Sequence, residues 1–237
     1  MNIAHRGESK FAPQNTIAAF EQAVQVGADA IELDIWFSKD RQLVVIHDAT
    51  VNRTTDAEGA VSGYTVEELK ELDAGSYFSE KFRGERIPTL GEVLERFTGR
   101  IGLCIEIKDE DEGVGEALVA LLDEYDAVKG TTVTSGSYES IARVKALNPA
   151  IKVGLLTKET DEDVADKLLA IGAEQICPWE AVLDTETVAR LHDRGLEVRA
   201  YGVGSDVEKM ARMIEIGTDG MTVNDPVSLK RLIDQRA

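Results

Sequence analysis

The chain has 237 residues and carries 26 lysines and arginines against 44 aspartates and glutamates, a formal charge of −18. That balance argues against nucleic acid or an anionic bilayer as a partner, because long-range repulsion opposes both. With 43% hydrophobic and 30% charged residues, and no apolar run near the ~20 residues of a membrane helix, the composition is that of a soluble globular chain able to bury a large core without stable membrane association.

The opening Met-Asn-Ile-Ala-His-Arg lacks the basic region, apolar core and small-residue cleavage site of an export signal, so a cytoplasmic location is expected. Residues 2–5 read as a short strand running into Arg6-Gly7, where glycine permits a sharp turn. After a loop through Pro13, Asn15 or Thr16 caps a helix with Ile17, Ala18, Phe20, Ala23 and Val24 at helical spacing, ending near Gly27. A strand follows at 30–37, a polar turn at 38–42, and a second extended run at 43–47, which together read as a hairpin. Residues 48 to about 88 lose this rhythm and read as an insertion with little core of its own.

From there the chain alternates. Helices are expected at 89–97, 112–126, 137–147, 161–171, 184–194, 205–216 and 226–235, with strands at 101–107, 131–135, 151–156, 174–178, 197–203 and 220–223. Counting the 43–47 run as a hairpin arm leaves eight β/α units, so the chain is expected to be one α/β domain over 1–237, a TIM (β/α)8 barrel with a small insertion after the second strand. A doubly wound open sheet is the alternative, but no Gly-rich dinucleotide fingerprint follows the first strand. Cys104 and Cys177 fall in strand-like runs without metal-ligand spacing and are expected as buried apolar fillers, not a disulfide.

A TIM barrel gathers its chemistry at the C-terminal ends of its strands. There stand His5 and Arg6 from the first strand, Glu32 and Asp34 from the second, His47 and Asp48 from the hairpin arm, and Glu106 and Lys108 from the next strand. Glu32 and Asp34 are two apart and share one face of a strand whose neighbours are apolar, an arrangement that costs free energy unless a cation lies between the carboxylates. With Glu106 they form an oxygen-only set suited to one divalent ion, Mg²⁺ or Ca²⁺, with Mn²⁺ also accommodated. Arg6 and Lys108 beside the acids suit an anionic ligand, and two imidazoles near neutral pKa provide an acid and a base for in-line displacement at phosphorus. His192, near the end of a surface helix, reads as an ordinary polar contact.

The motifs His5-Arg6-Gly7 with Pro13-Gln14-Asn15-Thr16, Gly27 through Asp34, Val45-Ile46-His47-Asp48 with Arg53-Thr54-Thr55, Ile87-Pro88-Thr89-Leu90, Glu106-Ile107-Lys108 and Gly217-Thr218-Asp219-Gly220 together resemble the glycerophosphodiester phosphodiesterase family from Ala4 to Pro226. The resemblance implies a TIM barrel that hydrolyses a small-molecule glycerophosphodiester to glycerol 3-phosphate and an alcohol. It implies a divalent metal on Glu32, Asp34 and Glu106, an acid and base pair in His5 and His47, and phosphate binding by Arg6 and Lys108. Two departures stand out. Gln14 replaces the family's usual glutamate, and Tyr201-Gly202-Val203-Gly204 replaces Trp-Thr-Val-Asn, so Tyr201 is the candidate substrate wall and substrate preference is where this chain is expected to differ. A lysophospholipid-directed phospholipase D and a non-catalytic barrel binding a phosphorylated metabolite are the competing readings, and the sequence carries no signal of oligomeric state.

Overall fold

The computed structural model describes residues 1–109 and 111–236. Its strands are β1 (Asn2–His5), β2 (Ala30–Phe37), β3 (Leu43–Val45), β4 (Gly102–Ile107), β5 (Thr131–Ser135), β6 (Lys152–Thr157), β7 (Gln175–Pro178), β8 (Glu197–Gly204) and β9 (Gly220–Val223). All except β3 pair in parallel, and the order β1-β9-β8-β7-β6-β5-β4-β2 closes through a β1–β2 pairing into an eight-stranded TIM barrel. The short β3 hangs outside as an antiparallel partner of β2, pairing Ile35 with Val45 and Phe37 with Leu43. It stops at Val45, two residues short of the expected 43–47, which leaves His47 in the loop that follows.

The closed sheet has two faces of different character. Ile31, Leu33, Ile35, Leu103, Ile105, Val133, Val153, Ile176 and Val198 form the main apolar core with the surrounding helices. The alternate residues line the inside of the barrel, where Ile3, Ala30 and Cys104 make a small cluster near its floor.

The helices are α1 (Ile17–Gln25), α2 (Val66–Glu71), α3 (Leu90–Phe97), α4 (Val114–Glu124), α5 (Tyr138–Leu147), α6 (Glu162–Ala170), α7 (Thr185–Asp193), α8 (Val207–Glu215) and α9 (Pro226–Asp234). Side-chain caps set most starts: Thr16, Ser137, Asp161, Asp184, Asp206 and Asp225 each accept from a first-turn backbone N–H, and Thr65 with Glu68 and Thr89 with Glu92 complete reciprocal capping boxes. The expected helix at 112–126 is trimmed at both ends, because Gly113 at φ +97° and Asp126 at φ +50° leave the helical region.

The segment between β3 and α3 is better packed than its composition suggests. Val51, Val61, Leu69, Ala74 and Ile87 form a second apolar cluster against Val44 and Ile46. Among the described residues, no helix is long and apolar enough to cross a membrane.

Candidate active site

Strand register brings the acids together. His5 lies opposite Glu32 across β1 and β2, and Asp34 lies opposite Glu106 across β2 and β4, so two successive cross-strand pairs bring these residues together at the barrel mouth. Glu32, Asp34 and Glu106 each offer an oxygen within 4.8 Å of the others. Asp34 is fully buried; its Oδ2 accepts from Asn15 Nδ2 at 2.8 Å and faces Arg6 Nε at 3.2 Å. Its Oδ1 has no hydrogen-bond donor, and Lys108 Nζ stands 3.6 Å away. An orphaned buried carboxylate oxygen in a set of three acids is the arrangement a hard divalent cation fits. Burial, then the charges of Asp34 and Glu106, push Glu32 well above the ordinary carboxylate range against the pull of Arg6 and Arg199. Burial and Asp34 raise Glu106 likewise.

The two histidines hold the same posture. His5 Nδ1 is 2.6 Å from Asn224 Oδ1, which fixes the proton on Nδ1 and leaves Nε2 with a lone pair 3.9 Å from Glu32. His47 Nδ1 is 2.6 Å from Asp48 Oδ1, and Arg53 grips that carboxylate through Nε at 2.6 Å and Nη2 at 3.1 Å. Trp36 Nε1 donates to the His47 carbonyl at 3.0 Å, fixing the loop after β3. Burial lowers His5 to about 4, aided by Arg6 and opposed by Asp34. Burial also lowers His47, while Asp34 and Asp48 pull it upward.

Arg6 and Lys108 complete the rim. Arg6 adopts φ +58°, a left-handed conformation that aims its backbone N–H at Glu32 Oε2 at 3.0 Å, and its Nη1 donates to Gln14 Oε1 at 2.9 Å. Lys108 Nζ pairs with Glu106 Oε1 at 2.6 Å. Although burial pulls Lys108 down, Glu106 and Asp34 outweigh it and keep the ammonium charged.

These groups open on one cavity of about 430 Å³ lined by His5, Arg6, Glu32, His47, Glu106, Lys108, Tyr201 and Asn224 among others. Of the residues that the sequence placed at the mouth, only Asp34 and Asp48 do not line it: Asp34 is buried behind, and Asp48 holds His47. His192 lies elsewhere, bonded to Asp219 at 2.7 Å.

Asn224, Asn15 and the Asp48–Arg53 pair support the site, a role that sequence reasoning did not assign them; the helix cap for which Asn15 was one candidate is Thr16. Asn224 follows the last strand at its C-terminal end, a position the barrel rule itself singles out. The cysteines are free and buried as expected, but Cys177 is no apolar filler: its Sγ accepts from Arg199 Nε at 3.4 Å and Nη2 at 3.3 Å inside the barrel.

Residues 5–228 match the Glycerophosphoryl diester phosphodiesterase family. The chain belongs to that family. A glycerophosphodiester phosphodiesterase of Caldanaerobacter subterraneus subsp. tengcongensis is 42% identical over 235 residues, covering 98% of this chain and 96% of that protein. One from Bacillus subtilis is 34% identical, covering 95% of this chain and 84% of its own length. Among solved structures, an Oleispira antarctica phosphodiesterase in complex with the product sn-glycerol-3-phosphate superposes with a TM-score of 0.91 at 30% identity, covering 98% of this chain and 96% of that one. The glycerophosphodiester phosphodiesterase of Agrobacterium tumefaciens gives 0.84 at 30% identity, covering 97% and 98% respectively. The enzyme class of this family member is phosphoric diester hydrolase, acting on glycerophosphodiesters.

Proposed function

We propose that this chain hydrolyses glycerophosphodiesters to glycerol 3-phosphate and an alcohol with one divalent metal ion and with His5 and His47 as base and acid. The observation that carries the reading is the shared posture of the imidazoles: each has Nδ1 engaged by an oxygen acceptor, which leaves Nε2 for chemistry in a cavity that also holds three carboxylates, Arg6 and Lys108.

Glu32, Asp34 and Glu106 would hold Mg²⁺ or Ca²⁺, with Mn²⁺ also suited to the set. When bound, such an ion neutralises phosphoryl charge and acidifies an attacking hydroxyl. Arg6 and Lys108 bind the anionic phosphate oxygens. His5, partnered by a neutral amide and held low by burial, enters the reaction unprotonated and takes the nucleophile's proton at Nε2 as the new P–O bond forms. Asp48 stabilises the imidazolium form of His47, which protonates the leaving oxygen as the old P–O bond breaks; an anionic diester in the cavity adds to the upward pull on that ring. The same pair serves whether the nucleophile is water or the adjacent glycerol hydroxyl, with roles exchanged when a cyclic phosphate is opened.

Tyr201 is the substrate wall in this reading. Together with Gly136 and Leu156 it borders both the catalytic cavity and an outer groove of about 700 Å³ that also includes Tyr138, Val164 and Lys158, which gives the variable alcohol a place to extend. A cytoplasmic setting goes with it, supported by the two free cysteines.

The test is a substrate panel of glycerophospho-choline, -ethanolamine, -inositol and -glycerol with a lysolipid, after chelation and return of each metal. Release of glycerol 3-phosphate from at least one soluble diester supports the reading. Failure on every diester with every metal overturns it in favour of a phosphometabolite-binding barrel. Preference for the lysolipid would favour head-group release from lysophospholipids, for which one observation speaks: Phe11, Tyr77 and Phe78 are exposed, and the Tyr77 hydroxyl accepts from the backbone of Gln14, whose side chain contacts Arg6.

A further inference from the structure

Arg199 is the largest fully buried side chain among the described residues, at 2% exposure. It stands inside the barrel. Its Nη1 donates to Thr222 Oγ1 at 3.0 Å, and Nε and Nη2 reach only the thiol of Cys177, a weak acceptor. No carboxylate of the described residues forms a salt bridge with it.

A cation so placed is costly unless opposite charge lies nearby in the same low-dielectric interior. Arg199 lines the catalytic cavity together with Glu32 and Glu106, and it also lines the cavity at the other end of the barrel with Ile3, Ala30, Cys104 and Gln175. It therefore runs along the barrel interior beneath the acid cluster. The thiol that accepts from Arg199 is itself closely packed: a Cβ at Gly154 would stand 3.0 Å from Cys177 Sγ and 3.2 Å from Gln175 Oε1. From the mouth the acids meet Arg6 and Lys108, which pair with Asp34 and Glu106. Glu32 has no side-chain ion pair with an arginine or lysine among the described residues; Arg6 and Lys108 share its cavity wall at the mouth, and Arg199 is the cation on that wall that also reaches the other end of the barrel.

We propose that Arg199 is a resident counter-ion for the acid cluster, supplying from beneath the positive charge that a divalent ion supplies from the mouth. It keeps the three carboxylates, two buried and one half-buried, together in the metal-free barrel and tempers the affinity with which they take the ion. Arg199 touches no reacting atom and acts as a positioning residue. The inference rests on the metal reading of Glu32, Asp34 and Glu106.

By linkage, two sources of positive charge that compensate the same acids oppose each other. Arg199→Met keeps an apolar side chain of similar length and removes the charge; Arg199→Lys keeps the charge and changes the hydrogen bonds. Metal-stripped protein of each kind is titrated with Mn²⁺ by calorimetry and melted with and without Mn²⁺. The expectation is a dissociation constant roughly tenfold or more tighter in Arg199→Met and within about twofold of the unaltered protein in Arg199→Lys. Melting of Arg199→Met should fall steeply without the ion and recover when it is added. An equal fall in melting with and without Mn²⁺, at unchanged affinity, would reduce Arg199 to packing and overturn the proposal. If Arg199→Met is insoluble in both states, Arg199→Gln undergoes the same titration: tighter Mn²⁺ binding supports the counter-ion role, and unchanged binding overturns it. Absence of Mn²⁺ binding to the unaltered protein would overturn the metal reading itself and this inference with it, an outcome distinct from binding that Arg199 leaves untouched.

Discussion

His5 and Asn224 are joined by a 2.6 Å hydrogen bond between the first strand of the barrel and the residue after the last. Closure of the sheet thereby fixes the tautomer of a proposed catalytic base. Asn224→Ala should lower kcat by about 10- to 100-fold with little change in KM, since it frees the imidazole without removing it. Asn224→Asp places a carboxylate at Nδ1 and should raise His5 from about 4, moving the acid limb of the kcat/KM profile to higher pH by roughly a unit or more. An unmoved limb would remove His5 from the base role.

His47 depends on Asp48 as His5 depends on Asn224, but through a carboxylate clamped by Arg53. His47→Ala should cost about 10²- to 10⁴-fold in kcat. Asp48→Asn should cost less, roughly tenfold, because it leaves the ring in place while withdrawing support for its charged form. Steady-state kinetics on a glycerophosphodiester separates the two; a loss of only a few-fold for His47→Ala would contradict the assignment.

How far the site was legible follows from the strand period. Glu32, Asp34 and Glu106 could be found because residues two apart share a face and carboxylates in an apolar run need a cation. Arg199 could not: in β8, Glu197 and Arg199 alternate with Val198 and Ala200, a pattern identical to a strand with one solvated face. Only closure of the barrel turns that polar face inward. The partners of Asn15 and Asn224 were hidden for a different reason: strand-end position points to Asn224, but the contacts that give the two residues their roles span 19 and 219 residues of chain. The insertion read as loose since its apolar residues are scattered between turns, and their packing on Val44 and Ile46 has no local period.

Gly7 directly follows Arg6 and takes φ +84°, and a Cβ there would lie 2.6 Å from the Ala19 backbone carbon. Gly7→Ala therefore combines a left-handed backbone with a clash against α1. A cost of about 2–4 kcal/mol is expected, seen as a melting temperature lower by roughly 5 °C or more. Unchanged melting would mean the turn can relax away from α1.

Glu8 is 1% exposed and neither carboxyl oxygen has a hydrogen-bond partner. Burial, then the charge of Asp225, raises it to about 7 from an ordinary 4.5, with Lys10 opposing. A raised folded-state pKa means the contribution to stability is present below pH 4.5 and is lost as pH rises through about 7. Glu8→Gln should match the unaltered protein near pH 4.5 and exceed it by about 1–3 kcal/mol at about pH 8, measured by urea unfolding at both values. Equal stability at the higher pH would show that the carboxylate finds compensation on ionising.

Everything proposed for the site turns on whether the acid cluster holds a metal that the reaction needs. The most direct measurement is the initial rate of glycerophosphodiester hydrolysis by chelator-stripped protein as Mg²⁺, Ca²⁺ or Mn²⁺ is added back, run beside Glu32→Gln and Asp34→Asn. A metal-requiring site gives a stripped rate near background, saturable recovery with one ion per chain, and no recovery in either variant; full activity in excess chelator would contradict it.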